Sequence, residues 1–245
     1  MYQFFVEPYQ INGKEIVITG TDVNHIKNVL RMKIGEELSV SNGQDGKEYR
    51  CGIVSMDEEK VKCELRFIKD GVELSSKVYL FQGLPKADKM ELIVQKMVEL
   101  GVYEIIPVAA KRCVVKLDEK KAKSKVARWQ SIAEAAAKQS KRGVIPQVTE
   151  VCSFAEAVKR ASAMEVKLIP YELAEGMEKT KKLIESVKPG QNIAIFIGPE
   201  GGFEEDEVSE ALAEGIEPVT LGRRILRTET AGFTVMSWLM YQLEA

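Results

Sequence analysis

The sequence predicts an α/β protein in two parts: a small N-terminal β-barrel over residues 1–71 and a larger α/β domain over residues 72–245. Short strand-like runs separated by Asn-Gly and Asp-Gly turns predict the barrel. Strand-like runs that alternate with longer amphipathic stretches predict a mostly parallel sheet covered by helices. The chain has 245 residues, 45% of them hydrophobic, and is therefore long enough to bury a core in each part.

Five short strands make up the predicted barrel, at residues 4–6, 15–18, 37–40, 48–54 and 61–67. An Asn-Gly pair at residues 12–13, and Asn-Gly and Asp-Gly pairs within residues 42–46, are typical of tight turns between strands. One helical segment interrupts the strands. Its apolar face is predicted from helical spacing and consists of Val23, Ile26, Val29 and Leu30. Gly71 begins the predicted linker.

The second domain is predicted from alternating strands and helices. The strands are expected at residues 78–82, 103–108, 166–170, 192–197 and 217–221, and the helices at residues 86–100, 120–140, 154–161, 204–213 and 229–243. Residues 192–197 contain an uninterrupted apolar run from residue 193 onward, which indicates a strand buried on both faces. Gly101 ends one helix, and Ser153 with Glu156 predicts a capping box at the start of another.

The net charge of −2 hides a basic segment. Residues 111–142 contain eleven Lys or Arg and three acidic residues, a net charge of +8. Such a segment can contact phosphates, although a solvated helix face is the favoured interpretation of a lysine run taken alone. No apolar run approaches the roughly 18 residues of a membrane span, and the N-terminus lacks a basic stretch followed by an apolar one, so we expect a cytoplasmic protein without membrane contact. The four cysteines contain no CxxC spacing, which argues against a zinc site and a disulfide framework.

A glycine-rich segment, Ile-Gly-Pro-Glu-Gly-Gly-Phe at residues 197–203, follows the buried strand and precedes a helix. This is the usual ligand-binding edge of an α/β sheet, and glycines there let a ligand approach the backbone closely. The segment is not GxGxxG, and the chain contains no GxxxxGK[ST], so neither a dinucleotide fingerprint nor a phosphate-binding P-loop is indicated. A tight connection between strand and helix is the alternative interpretation.

A second segment, Leu-Gly-Arg-Arg-Ile-Leu-Arg-Thr-Glu-Thr-Ala at residues 221–231, also connects a strand to a helix. Its arginines can clamp an anion, and Thr228 or Thr230 can cap the helix. Ordinary capping beside surface arginines is the alternative. His25 is the only histidine and lies in the other domain, which argues against hydrolase triads and against a histidine-based metal site.

Through these two segments the chain resembles the RsmE family of the SPOUT methyltransferase superfamily. Further matching segments extend the resemblance over nearly the whole chain: His25 with Val29-Leu30-Arg31, residues 85–90 leading to residues 99–102, and Glu134-Ala135-Ala136 with Gln139, Ser140 and Arg142. The resemblance implies a PUA-like β-barrel that binds RNA and a SPOUT domain whose chain forms a deep trefoil knot. Physical rules alone make a knot improbable, so this expectation rests on the resemblance.

The family's activity implies the roles of the remaining candidate residues. It implies S-adenosyl-L-methionine as cofactor, no metal, a homodimer, and methylation of uridine N3 in 16S rRNA, either free or in the assembled small ribosomal subunit. The expected cofactor-binding residues are Ile197, Gly198, Gly201, Gly202, Leu221, Gly222, Ile225, Leu226 and Thr230. The expected catalytic residues are Arg227, Glu200 and Glu229, and the expected RNA-binding residues are His25, Arg31, Lys86, Arg112 and Arg142.

The chemistry explains why those side chains are candidates. Uridine N3 becomes a good nucleophile only when its proton leaves, so an arginine that stabilises the uracil oxygens and a carboxylate or water that accepts the proton are expected. The sequence departs from the family at Gln3, where an arginine often stands, which puts one RNA contact in doubt. A non-catalytic RNA-binding or ribosome-assembly factor on the same scaffold is the alternative. A nicotinamide-dependent enzyme is disfavoured because GxGxxG is absent.

Overall fold

The computed structural model describes residues 1–171 and 176–244. Residues 172–175 and 245, which belong to the predicted second domain, lie outside the described residues. The chain divides into two compact units. Unit 1 consists of Met1–Glu73 with Ala137–Ile145, and unit 2 of Leu74–Ala136 with Pro146–Ala245.

Unit 1 contains a six-stranded sheet in the order β1-β4-β5-β6-β3-β2. Its strands are β1 (Gln3–Phe5), β2 (Ile11–Asn12), β3 (Glu15–Thr19), β4 (Glu37–Ser41), β5 (Lys47–Met56) and β6 (Lys60–Asp70). β1 pairs with β4 in parallel, and the other neighbours are antiparallel. Alternating apolar residues on these strands point into one core, which includes Phe4, Ile16, Ile18, Leu38, Val40, Ile53 and Val61. The five predicted strands are all present.

The helical segment of unit 1 begins as α1 (Thr21–Asn24) and continues as a π-helical turn (His25–Val29). The Leu30 N–H donates to the His25 carbonyl at 2.9 Å, the i to i+5 bond of a π-helix. Val23 and Ile26 are buried as predicted, but Val29 is 64% exposed. The predicted apolar face is therefore wrong at Val29, because the widened turn rotates this residue away from the face that helical spacing assigns to it.

Residues 137–145 pack onto the N-terminal sheet and complete unit 1. The Gln3 amide donates to the Arg142 carbonyl at 2.8 Å, and the Arg142 Nε donates to the Glu73 carboxylate at 3.1 Å. Glycines make the close approach possible: a Cβ at Gly143 would lie 2.6 Å from the Gly46 carbonyl carbon, and a Cβ at Gly71 would lie 2.0 Å from the Gly46 oxygen. Side chains at these two positions would collide with backbone.

Unit 2 contains a parallel sheet in the order β10-β8-β7-β12-β11-β13, with β9 also paired to β8. Its strands are β7 (Lys77–Gly83), β8 (Glu104–Ala109), β9 (Gln147–Val148), β10 (Cys152–Ser153), β11 (Val166–Pro170), β12 (Asn192–Ile197) and β13 (Glu217–Val219). The Phe81 and Phe196 rings stack at the centre with centroids 4.5 Å apart. The run at residues 192–197 is confirmed as a central strand, buried from Ile193 to Ile197.

Six helices accompany these strands: α2 (Lys89–Glu99), α3 (Glu119–Gln139), α4 (Phe154–Ala161), α5 (Met177–Glu185), α6 (Glu205–Ala213) and α7 (Thr228–Glu244). The predicted capping box at α4 is confirmed, since Ser153 and Glu156 bond each other's backbone N–H groups. α5 was not predicted, because its only fully buried residue is the polar Thr180 and no apolar stripe marks it. Among the described residues, no helix is both long enough and apolar enough to span a membrane.

Candidate functional site

A cavity of about 840 Å³ opens in unit 2 at the carboxyl ends of the neighbouring strands β11, β12 and β13. Its volume falls in the range of small-molecule sites. Two segments form most of its wall, the first loop (residues 198–204) and the second loop (residues 220–227). The lining is completed by Ile197 and Glu205, which flank the first loop, by Pro170 and Tyr171 at the end of β11, and by Lys89, Arg112, Thr228 and Ala231.

The first loop is a tight glycine-dependent turn. Gly202 has φ of +69°, and its N–H donates to the Pro199 carbonyl at 2.9 Å. A Cβ at Gly198 would lie 3.1 Å from the Gly202 Cα, so the turn brings two glycines together with little room for a side chain. Backbone N–H and C=O groups therefore face the cavity with few side chains in the way.

The second loop exposes its charged residues. Gly222 has φ of +102°, which favours glycine, and its N–H donates to the Thr220 hydroxyl at 3.3 Å. Arg223, Arg224 and Arg227 are exposed. In the described part of the chain none of these three arginines forms an ion pair, so they provide uncompensated positive charge at the cavity.

Ile225 is the most exposed apolar residue of the second loop, at 90%. Although it lies at the cavity, its side chain faces solvent more than the predicted cofactor-binding role suggests. Leu221 and Leu226 are half-buried in the same wall. These two leucines are therefore better placed to provide an apolar contact surface.

Thr228, the first residue of α7, has a different role from the predicted helix cap. Its hydroxyl donates to the Gly198 carbonyl at 2.6 Å and accepts from the Gln82 amide at 2.9 Å. Thr228 and Gln82 are both buried. The start of α7 is thereby joined to the start of the first loop and to the end of β7.

Lys89 and Glu200 meet at one side of the cavity, and Glu229 lies next to Lys89 but does not line the cavity. Glu200 accepts from the Lys86 N–H at 3.1 Å and from the Lys89 ammonium at 2.8 Å. Partial burial would raise the pKa of Glu200, but these hydrogen bonds outweigh it and lower the pKa below the ordinary value. Glu229 lies 3.7 Å from the Lys89 ammonium, and its buried Oε2 has no hydrogen-bond partner among the described residues.

The first loop is tied to the segment after β8. The Arg112 guanidinium donates to the Gly201 carbonyl at 3.1 Å and lies 3.0 Å from the Glu204 carboxylate. Glu207 of α6 is buried and accepts from the backbone N–H groups of Lys111 and Glu204, each at 2.9 Å. Arg112, predicted to bind RNA, therefore stabilises the loop through contacts within the protein.

The remaining predicted RNA-binding residues are dispersed. In unit 1, His25 and Arg31 are exposed, and the His25 ring lies edge-on to Phe4 at 6.1 Å. Arg142 is only 3% exposed and pairs with Glu73, so its contacts support a structural role in unit 1. In unit 2, Lys86 is exposed and donates its backbone N–H to Glu200.

The structure brings most of the predicted site together. Eight of the nine predicted cofactor-binding residues line the cavity, all except Thr230, and so do Arg227 and Glu200. Sequence reasoning missed Lys89, Gln82, Pro170 and Tyr171. Pro170 and Tyr171 lie at the end of β11, the strand before β12 in the chain and its partner in the sheet, but no glycine-rich or charged motif marks them in the sequence. Lys89 was detectable as a basic residue at the start of an amphipathic helix, but nothing local linked it to a site.

Comparisons with known proteins agree with this geometry. A family model described as RNA methyltransferase domain matches residues 72–240, and one described as RNA methyltransferase PUA domain matches residues 18–66. The chain is 39% identical over 251 aligned residues to the ribosomal RNA small subunit methyltransferase E of Bacillus subtilis, covering 100% of this chain and 98% of the relative. It is 34% identical to the protein of the same name from Mesomycoplasma hyopneumoniae, covering 97% and 98%.

A solved structure gives the same result. The chain is similar to the crystal structure of a ribosomal RNA small subunit methyltransferase E from Neisseria gonorrhoeae bound to S-adenosyl methionine, with a TM-score of 0.84 and 30% identity. The similarity covers 98% of this chain and 97% of that one. The chain therefore belongs to the ribosomal RNA small subunit methyltransferase E family, the family that its two glycine-containing loops resemble.

Proposed function

We propose that this protein transfers a methyl group from S-adenosyl-L-methionine to N3 of a uridine in 16S rRNA of the small ribosomal subunit. The cavity between the first and second loops carries the proposal, because glycine-rich backbone and exposed arginines line it. A relative from the same family was solved bound to S-adenosyl methionine. No step in this reaction requires a metal, since the sulfonium is already an activated methyl donor.

The residues present fit this cofactor. Gly198, Gly201 and Gly202 expose backbone groups that can hydrogen-bond adenine and ribose, while Ile197, Leu221 and Leu226 offer apolar surface to the adenine ring. Gly222 and Ile225 are further proposed contacts. Thr230 remains a proposed contact as well, although it does not line the cavity.

The charged residues define the proposed chemistry. Arg227 stabilises negative charge on the uracil oxygens as the N3 proton leaves for Glu229, Glu200 or a water. The N3 electron pair then forms the bond to the methyl carbon, and the electrons of the broken carbon–sulfur bond remain on sulfur. Holding N3 in line with the methyl group supplies much of the rate.

The proposed RNA-binding residues come from both units. We assign RNA binding to a PUA-like barrel over residues 1–71, with His25 and Arg31 on its surface, and to Lys86 and Arg112 of the methyltransferase domain over residues 72–245. The PUA family match and the six-stranded sheet support the barrel. Arg142 stays in the proposal, although its burial favours a structural role. The target base must be splayed out to expose N3.

We infer a trefoil knot and a homodimer for the methyltransferase domain. The family to which the chain belongs supports the first inference. The surface of α7 supports the second, since Trp238, Met240 and Leu243 are only half-buried and Tyr241 is 77% exposed. Apolar side chains of this kind are typical of an interface with a second copy. A ribosomal substrate places the protein in the cytoplasm.

The test is incubation with methyl-labelled S-adenosylmethionine and either small subunits or free 16S rRNA from a strain that lacks this gene, followed by nucleoside analysis. Labelled 3-methyluridine is the expected product, and the preferred RNA identifies whether assembly comes first. Cofactor binding without label in either RNA would contradict methyl transfer and favour an RNA-binding or ribosome-assembly factor on the same scaffold.

A further inference from the structure

We propose that Gln82 and Thr228 form a buried hydrogen-bonded link that sets the separation between the first and second loops and thereby positions S-adenosylmethionine. The inference rests on the proposed function and adds residues that the comparisons do not assign. Both are positioning residues, because they act through the loops and not on the reacting atoms.

The link joins three elements. Gln82 is the second-last residue of β7 and is 0% exposed. Its Nε2 donates to the Thr228 hydroxyl at 2.9 Å and to the Gly83 carbonyl at 3.0 Å. The Thr228 hydroxyl donates in turn to the Gly198 carbonyl at 2.6 Å. Gly198 opens the first loop and Thr228 closes the second, so one chain of hydrogen bonds connects the ends of the two cavity walls.

The direction of these bonds is determined by donor counting. A threonine hydroxyl has one proton, and an amide N–H already occupies an acceptor position of the Thr228 oxygen. The hydroxyl proton must therefore point to Gly198. Gln82 thus orients the Thr228 hydroxyl, and the hydroxyl holds the Gly198 carbonyl in one direction. The orientation of the Gly198 peptide group at the cavity is thereby fixed.

Close packing holds the first loop from the other side. A Cβ at Gly83 would lie 2.6 Å from the Pro199 Cδ and 2.7 Å from the Pro199 nitrogen. The loop therefore rests directly on the end of β7. With Gly83 beneath Pro199 and Thr228 bonded to Gly198, the start of the first loop has little freedom to move away from the second.

The unpaired side of the Gln82 amide argues against a purely structural role. Its Oε1 is buried and has no hydrogen-bond partner among the described residues, an arrangement that destabilises a fold. An apolar side chain of similar length would fill the same space without that cost. The donor function toward Thr228 explains why an amide stands there.

The test compares S-adenosylmethionine affinity across four variants by titration calorimetry, with thermal unfolding measured on each. Thr228→Val and Gln82→Met remove the link at nearly constant volume and are expected to weaken binding about tenfold or more. Thr228→Ser keeps the hydroxyl and should bind within about threefold of the wild type. Ser76→Ala is the matched control, since it removes another buried hydroxyl, bonded to the Lys188 carbonyl at 3.2 Å away from the loops, and should leave affinity unchanged.

Wild-type affinity in Thr228→Val and Gln82→Met would overturn the link, and so would a Thr228→Ser variant as weak as Thr228→Val or an equal loss in Ser76→Ala. If Thr228→Val does not fold, Gln82→Met against Thr228→Ser decides the question in the same way. The proposed function fails separately: a wild type that binds the cofactor but labels no RNA contradicts methyl transfer and leaves the link standing. A wild type that does not bind the cofactor overturns both.

Discussion

At the scale of single residues, the contacts of Glu200 and Glu229 distinguish the two proposed proton acceptors. Glu200 already accepts hydrogen bonds from Lys86 and Lys89, and these bonds lower its pKa, which makes it a weaker base. The buried Oε2 of Glu229 has no hydrogen-bond donor among the described residues. Glu200 therefore anchors Lys89 and the start of α2, whereas the Glu229 Oε2 lies 3.7 Å from the same ammonium and can still accept a hydrogen bond.

The pH dependence of stability tests the anchoring role of Glu200. Because its folded-state pKa is lowered, Glu200 stabilises the fold at pH values above its ordinary pKa of 4.5, and this contribution is lost as pH falls through the lowered value. We expect Glu200→Gln to reduce the free energy of unfolding at pH 7, with the difference from wild type shrinking toward acid pH. Urea unfolding at several pH values measures it. Parallel curves for the two proteins across that window would contradict the anchoring role.

Arg227 should affect the rate of methyl transfer and not the affinity for the cofactor. It is exposed in the cavity wall without an ion-pair partner among the described residues, so its charge is available to a substrate. Arg227→Ala should reduce kcat by about 10²–10³ while cofactor affinity stays within about twofold, a difference worth under 0.5 kcal/mol. Arg227→Lys should recover only part of kcat, because a lysine lacks the planar pair of donors. Unchanged turnover in the alanine variant removes Arg227 from the mechanism.

At the scale of elements, the sequence predicted those that carry a strong period and missed those that do not. β12 contains five consecutive apolar residues and was predicted with its full bounds, whereas β9 and β10 have two residues each and α5 has no apolar stripe. The two loops were found because glycines and arginines mark them locally. The partners Gln82 and Lys89 were not, since only the packing of distant segments brings them to the cavity.

α6 is joined to the segment after β8 through its buried Glu207. Its buried Glu207 accepts from two backbone N–H groups, one in the segment after β8 and one at the start of the helix. Glu207→Ala leaves both donors without that acceptor and should lower the free energy of unfolding by about 2–4 kcal/mol. Glu210→Ala, an exposed position on the same helix, should change it by less than about 0.5 kcal/mol. Equal effects of the two substitutions in denaturant unfolding would show that the Glu207 contacts do not stabilise the junction.

At the scale of the whole molecule, the boundary expected at residue 71 differs from the division into compact units. Unit 1 includes Ala137–Ile145, a segment far away in the sequence. Its Arg142 supplies an ion pair to Glu73 and a backbone acceptor to Gln3. No local pattern identifies such a return, because the segment continues from a basic helix and carries no strand signal. The proposed domain limits of 1–71 and 72–245 therefore omit part of the first unit's packing.

A fragment experiment tests this organisation. An isolated chain of residues 1–73 lacks Arg142, which pairs with Glu73 and accepts one of the two hydrogen bonds of Gln3, and it leaves the surface beside Gly46 uncovered. We therefore expect a weaker and less cooperative urea transition than in a fragment with residues 137–145 attached through a flexible Gly/Ser linker. The same linked fragment with Gly143→Val should return to the weak transition, since its side chain would meet the Gly46 backbone. Identical transitions for residues 1–73 alone and the linked fragment would contradict a structural role for the segment.

Residues 137–145 also affect when the first unit can fold during synthesis. Ribosomes add about 5–20 residues per second and N-terminal domains usually fold first. Here the N-terminal sheet leaves the ribosome well before residues 137–145, which it needs for completion. The N-terminal sheet of the nascent chain therefore lacks the packing of residues 137–145 for a time on the order of seconds. A nascent-chain arrest placed before residue 137 should yield a protease-sensitive N-terminal unit, and one placed far enough beyond residue 145 a resistant one.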